Sequence, residues 1–162
     1  MQEDNSIIIE REVNLKELRW PAESSLAAED YFVRGYQDMR GFTWDNAWET
    51  LKLEKELIDR YSGDLSKAEE SMFEKEEDIS GLYGLDLSIA SAVVALSAAG
   101  CAPFTSCNGA SGHREAYALV AFYCRKGRVR DILKAAEIAH CGLYNDKSGA
   151  LVVFGGNVGA LI

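Results

Sequence analysis

Around Gly81 the sequence changes from charged, helix-periodic segments to short apolar runs separated by glycines. Before this point, candidate N-cap residues such as Thr43 and Asp64 precede apolar residues at helical spacing. They predict helices over residues 24–40, 44–61 and 64–77, after a short strand over residues 7–13. Trp44 and Trp48 belong to the apolar stripe of the second helix, and this spacing is typical of core residues.

After Gly81 the pattern predicts a mixed half. A helix rich in alanine and serine is expected over residues 87–99, with Asp86 as its N-cap. The unbroken apolar run at residues 117–124 is typical of a buried strand. A helix is expected over residues 128–140, followed by Gly142, and residues 143–144 and 150–154 are expected to pair as a hairpin. The fold class is therefore α+β, with a helical N-terminal half packed on a small C-terminal α-β-α-β-β sheet layer.

The length and composition favour one domain. A chain of 162 residues buries about 70% of its unfolded surface, and no clear linker interrupts it. We expect a single domain over residues 1–162, with an acidic helical half (1–80) and a mixed α/β half (81–162). The N-terminus lacks the pattern of a signal peptide, and residues 85–100 are too short and too polar for a membrane span. These features predict a cytoplasmic protein without membrane association, whose four cysteines are reduced.

The charge is distributed unevenly along the chain. The net charge is −9; residues 1–80 hold 21 acids and 10 bases, whereas residues 81–162 hold 5 acids and 7 bases. Such asymmetry bears on partners, because an acidic surface repels nucleic acid and attracts basic proteins. We therefore expect a basic protein partner and no nucleic acid. The residues predicted to bind this partner are Glu69, Glu70, Glu74, Glu76, Glu77 and Asp78. The simpler interpretation of this run is a solvated helix face.

The segment over residues 101–114, CAPFTSCNGASGHR, has the strongest chemical character. In an enzyme, Cys107 would attack as a thiolate, His113 would act as its base, and Asn108 belongs to the same candidate catalytic set. Freed N–H groups at paired glycines can also bind an anion such as a phosphate. The candidate ligand-binding residues are Gly109, Gly112 and Arg114. In the structural interpretation, Cys107 is a buried thiol and the glycines form tight turns.

Metal binding by the same loop is disfavoured. The cysteines and histidines do not show the close C-x2–4-C pairs that zinc sites usually have. The chain has two glycine sets, Gly109-x-x-Gly112 and Gly155-Gly156-x-x-Gly159. Neither matches a P-loop or a dinucleotide fingerprint. We therefore expect no metal and no cofactor.

The stretch Thr105-Ser106-Cys107-Asn108-Gly109 resembles the Ser-Ser-Cys-Ser-Gly stretch of the wybutosine-synthesising protein family. Proteins of that family modify a transfer RNA base. The resemblance covers five residues, and Asn108 stands where the family has a serine. No residue role is carried over from it.

Two functions from different classes remain. The first is an acidic protein-binding module, for example an inhibitor or immunity-type protein that neutralises a basic nuclease toxin. The alternative is a small cysteine-dependent enzyme or phosphate-ligand-binding protein that uses residues 105–114. A homodimer joined by exposed aromatic side chains is a further possibility.

Overall fold

The computed structural model describes residues 11–23, 40–74, 78–110, 115 and 117–155. Helices dominate the described part of the N-terminal half, and an antiparallel sheet lies in the C-terminal half. The predicted α+β class is confirmed. Residues 24–39 of the predicted helix over residues 24–40 lie outside the described residues, as does most of the predicted strand over residues 7–13.

Among the described residues, two α-helices precede residue 81, and both begin at a predicted cap. Helix α1 spans Trp44–Asp59, and Thr43 and Asn46 form a reciprocal capping box at its start. Helix α2 spans Leu65–Glu74, and the Asp64 carboxylate accepts a hydrogen bond of 3.0 Å from the Lys67 N–H. Both helices are thus fixed at their N-termini by local side-chain chemistry.

The C-terminal half contains two helices and four strands among the described residues. Helix α3 spans Ala90–Ala98 and helix α4 spans Val129–Ile138. The strands are β1 (Ala102–Cys107), β2 (Leu119–Tyr123), β3 (Gly142–Asn145) and β4 (Leu151–Phe154). They pair antiparallel in the order β1-β2-β4-β3, so the predicted β3–β4 hairpin is present.

Residues 102–107 form strand β1, so their predicted assignment to a loop is wrong. β1 lies at an edge of the sheet and contains Pro103, followed by a register irregularity before Thr105. Proline lacks an N–H donor and is tolerated at such an edge or beside a bulge. Its presence hid the strand from pattern reasoning.

Helix α3 packs against α1 and against strands β1 and β2. The buried face of α1 consists of Ala47, Thr50, Glu54 and Leu57. Trp44 and Trp48 lie outside this face and are 55% and 67% exposed, so their expected core position is wrong. Both tryptophans instead line a pocket together with Ala92 and Ala95 of α3.

The end of α4 also differs in detail from the prediction. His140, with φ of 55°, adopts the left-handed conformation expected of Gly142. Gly142 instead opens β3, where an added Cβ would overlap the Phe154 ring. The glycine is therefore needed for a close approach between strands.

Among the described residues, no helix is long and apolar enough to cross a membrane.

Candidate binding pocket beside the acidic helix

Asn108, directly after β1, is fully buried and connects three parts of the chain. Its backbone N–H donates to the Asp86 carboxylate at 3.2 Å. Its side-chain N–H groups donate to the Leu87 carbonyl at 2.9 Å and to the Glu69 carboxylate. Its side-chain oxygen accepts from the Ala110 N–H at 3.0 Å. Asn108, a candidate catalytic residue in the sequence analysis, thus holds two carboxylates in fixed positions.

These hydrogen bonds join the two regions that the sequence analysis treated as rival sites. Glu69 belongs to the acidic run on α2, and Asn108 belongs to the candidate chemical loop. Asp86, predicted as a helix cap, is the second carboxylate held by Asn108, while α3 itself begins only at Ala90. Sequence reasoning missed this role of Asp86 because nothing local relates it to Asn108.

A pocket of about 220 Å³ lies beside these carboxylates. We call it the α2 pocket. Leucine, methionine, isoleucine and phenylalanine side chains supply most of its wall, and none of the described residues that line it is basic. The lining residues are Glu69, Met72, Phe73, Ile79, Leu82, Gly84, Leu85, Asp86 and Leu87. The pocket therefore combines apolar walls with two carboxylates.

Helix α2 and the residues that follow it carry an exposed aromatic ring and further acidic side chains. Phe73 is 76% exposed although it lines the pocket, and Glu70 and Glu74 on the same helix are exposed. Asp78 is exposed as well, and its carboxylate accepts hydrogen bonds from the Ser80 hydroxyl at 2.7 Å and the Ser80 N–H at 3.1 Å. These two hydrogen bonds, of which the one from the hydroxyl has the larger effect, keep the pKa of Asp78 below its ordinary value. Glu76 and Glu77 lie outside the described residues.

Cys107, the candidate nucleophile, is covered by the fold. Its side chain is 6% exposed, and its sulfur accepts the Gly109 N–H at 3.5 Å. A catalytic thiol has to reach an organic substrate much larger than water, and this degree of burial does not favour that role. His113, Gly112 and Arg114 lie outside the described residues.

The backbone conformation at residue 109, and the close approach of a neighbouring segment, require a glycine. Gly109 has φ of 71°, and an added Cβ would overlap the Tyr117 backbone and lie 2.7 Å from the Ala118 nitrogen. The glycine thus brings the two ends of the β1–β2 connection together.

A buried acid, Glu54, was also missed by sequence reasoning. It is 0% exposed on the inner face of α1, and its carboxylate accepts the Ser91 N–H at 2.9 Å in the first turn of α3. Its second oxygen and the buried Ser88 hydroxyl have no hydrogen-bond partner among the described residues. Burial raises the pKa of Glu54, against hydrogen bonds from Ser91 and its neighbours. Its spacing from Ala47, Thr50 and Leu57 is the signal that places it on the inner face.

Within the described ranges, no group of three or more histidine, cysteine or acidic side chains is arranged to hold a metal ion.

No protein-family model, curated protein or solved structure matches the chain.

Proposed function

We propose that the protein is an acidic protein-binding module whose α2 pocket receives a basic side chain of a protein partner. One observation carries this proposal: the carboxylates of Glu69 and Asp86 line a pocket that is otherwise mostly apolar. Both residues are half-buried, and their carboxylates already accept hydrogen bonds from Asn108. A basic side chain of a partner would add an opposite charge next to these two carboxylates, where the apolar lining weakens screening by water.

The size and chemistry of the α2 pocket suit an arginine or lysine side chain. Its volume of about 220 Å³ lies below the roughly 300–1,000 Å³ that is typical of small-molecule sites. Arginine and lysine place an alkyl stem on apolar surface and a charged group at its end. Arginine has the further advantage of paired donors for a carboxylate and a flat group that stacks on aromatic rings such as Phe73.

Asn108 keeps the two carboxylates in place before a partner arrives. It donates to Asp86 through its backbone and to Glu69 through its side chain. A site that is already ordered loses less conformational entropy on binding. The buried amide therefore supports affinity without contacting the partner.

The wider charge distribution favours rapid encounter with a basic partner. Residues 1–80 carry a net charge of −11, and Glu70 and Glu74 expose part of it on α2, the helix that also carries pocket-lining residues. Long-range attraction of this kind raises association rates and weakens as salt is added. Neutralisation of a basic enzyme, such as a nuclease toxin, is one form of this function.

A defined peptide tests the proposal. We would measure the binding of a short, fluorescent peptide of alternating arginine and leucine by anisotropy and stopped flow. Replacing both Glu70 and Glu74 by lysine should lower the association rate about tenfold at low salt, because it removes steering charge. Phe73→Ser should weaken affinity about tenfold through lost contact and, since the ring is exposed, leave stability nearly unchanged.

Matched controls separate the pocket from general acidity. Glu49→Lys combined with Glu137→Lys makes the same change of net charge at exposed positions that do not line the α2 pocket. A peptide with neutral citrulline in place of arginine keeps the shape and removes the charge. Equal losses for the two lysine pairs, or equal binding of the citrulline peptide, would refute the proposal.

A further inference from the structure

Two buried cysteines lie opposite each other at one end of the β1–β2 pair. The antiparallel register pairs Ala102 with Tyr123, and one residue further along each chain are Cys101 and Cys124. Directly opposed residues of antiparallel strands have Cα atoms about 4.5–5.5 Å apart. This separation falls within the range of about 4.4–6.8 Å that a disulfide spans.

The two thiols are close enough to interact. Both are free, and they are 2% and 1% exposed. The hydrogen bond between them, followed by burial, raises the pKa of Cys101. The same hydrogen bond lowers the pKa of Cys124, aided by the positive charge of Arg128 and opposed by burial. Cys124 is therefore the thiol that ionises first.

Each of the two cysteines adjoins an exposed residue in the chain. These residues are Gly100, before Cys101, and Arg125, after Cys124. Hydrogen peroxide is little larger than water, so it needs only a small opening at this end of the strands. The fold thus combines a favoured thiolate, a second thiol within reach and a nearby surface.

We propose that Cys101 and Cys124 form a redox modification site, at which hydrogen peroxide converts the thiol pair into an intramolecular disulfide. The Cys124 thiolate attacks one peroxide oxygen, the O–O bond breaks, and hydroxide leaves as water after taking a proton. The Cys101 sulfur then attacks the resulting sulfenic acid, the S–S bond forms, and a second water leaves. The two sulfurs together lose two electrons, which the peroxide gains, and the two thiol protons end in the two waters.

The other two cysteines are not placed for the same reaction. Cys107 is paired with Leu119 across β1 and β2. Cys141 precedes Gly142, which is paired with Phe154, so the position opposite Cys141 is Gly155. The strand register therefore places a cysteine opposite Cys101 and Cys124 alone among the four.

Mass spectrometry of the folded, reduced protein after treatment with a small excess of hydrogen peroxide tests this proposal. We expect the intact mass to fall by two hydrogen atoms and to recover on treatment with dithiothreitol. Fragmentation of the linked peptides should place the bond between Cys101 and Cys124. The change should persist in Cys107→Ala and Cys141→Ala and be lost in Cys101→Ala and Cys124→Ala.

Two results would overturn the proposal: a folded wild-type protein that gains oxygen without forming a disulfide, or a bond that fragmentation places at Cys107 or Cys141. Because fragmentation locates the bond in the wild-type protein, the test is decisive even if a cysteine variant fails to fold.

Discussion

At the scale of single residues, Asn108 shows how a loop side chain organises a site. It is fully buried, and its amide contacts the Glu69 carboxylate on α2, the Leu87 carbonyl and the Ala110 N–H. A buried polar group of this kind stabilises a structure only while all its partners are present. The identity of the residue is therefore as important as its size.

Substitution of Asn108 tests this role. Asn108→Ala should lower the free energy of unfolding by about 2–4 kcal/mol, because it leaves buried partners without hydrogen bonds. Asn108→Asp keeps the shape but replaces two donors with a negative charge beside Glu69, so it should cost more than alanine at neutral pH. Urea unfolding measures both. An aspartate variant as stable as the wild type would show that the donors are not needed.

Glu54 is a second residue whose environment sets its chemistry. Burial raises its pKa in the folded state above the ordinary value of 4.5. Protonated Glu54 is thus favoured in the folded protein. Because the pKa is higher in the folded than in the unfolded state, protonation of Glu54 favours folding. This contribution to the free energy of unfolding is fully present at pH below the unfolded-state pKa, and it is lost as pH rises through the folded-state pKa.

Glu54→Gln should therefore remove a pH dependence. The variant cannot ionise, so its free energy of unfolding relative to the wild type should increase as pH rises above about 4.5. Glu56→Gln, at an exposed position on the same helix, is the matched control and should leave the slope unchanged. Urea unfolding at several pH values measures the difference; parallel pH profiles for Glu54→Gln and the wild type would contradict the account.

At the scale of elements, local signals predicted the described helices well and one strand poorly. Thr43 and Asp64 cap α1 and α2 as expected, and the apolar run at residues 117–124 contains β2. β1 was missed because Pro103 and three polar or small residues in Ala102–Cys107 resemble a loop. Its partner β2 supplies the pairing, and pairing between distant segments is not a local signal.

The burial of α1 was predicted on the wrong face for a related reason. Both tryptophans follow helical spacing, yet Ala47, Thr50, Glu54 and Leu57 form the buried face. The two tryptophans line a pocket beside α3 and stay largely exposed, so helical spacing alone did not separate the edge of the α1–α3 contact from its centre. The sequence of one helix cannot reveal the shape of the helix it meets.

The β1–β2 connection depends on one glycine. Gly109→Ala should lower the free energy of unfolding by about 3 kcal/mol or more, since backbone atoms of Tyr117 and Ala118 occupy the space of the new methyl group. Gly84→Ala is the matched control. Its φ of 74° is close to the 71° of Gly109, but nothing lies within 4 Å of the added Cβ. It should cost only about 1–2 kcal/mol of backbone strain. Equal costs at the two positions would contradict the close approach at Gly109.

At the scale of the whole molecule, the charge asymmetry could be read from the sequence, whereas the α2 pocket could not. Glu69 and Asn108 are 39 positions apart, and Asp86 and Asn108 are 22 positions apart. Only the tertiary fold, through the hydrogen bonds of Asn108, brings them together. Under the proposed function, the charge asymmetry predicts a basic partner, and the α2 pocket is where its side chain would bind.

The most direct test of the α2 pocket is an NMR titration of ¹⁵N-labelled wild-type protein with the arginine–leucine peptide. The side-chain amide of Asn108 donates to Glu69 and therefore reports on the pocket. The side-chain amide of Asn145 donates to the Asn14 carbonyl at 3.0 Å, away from the pocket lining, and serves as an internal control. We predict large, saturable shifts of the Asn108 side-chain amide and of the Gly84 and Leu87 backbone amides, with Asn145 unchanged. Shifts confined to exposed acidic positions, with Asn108 unaffected, would contradict the account.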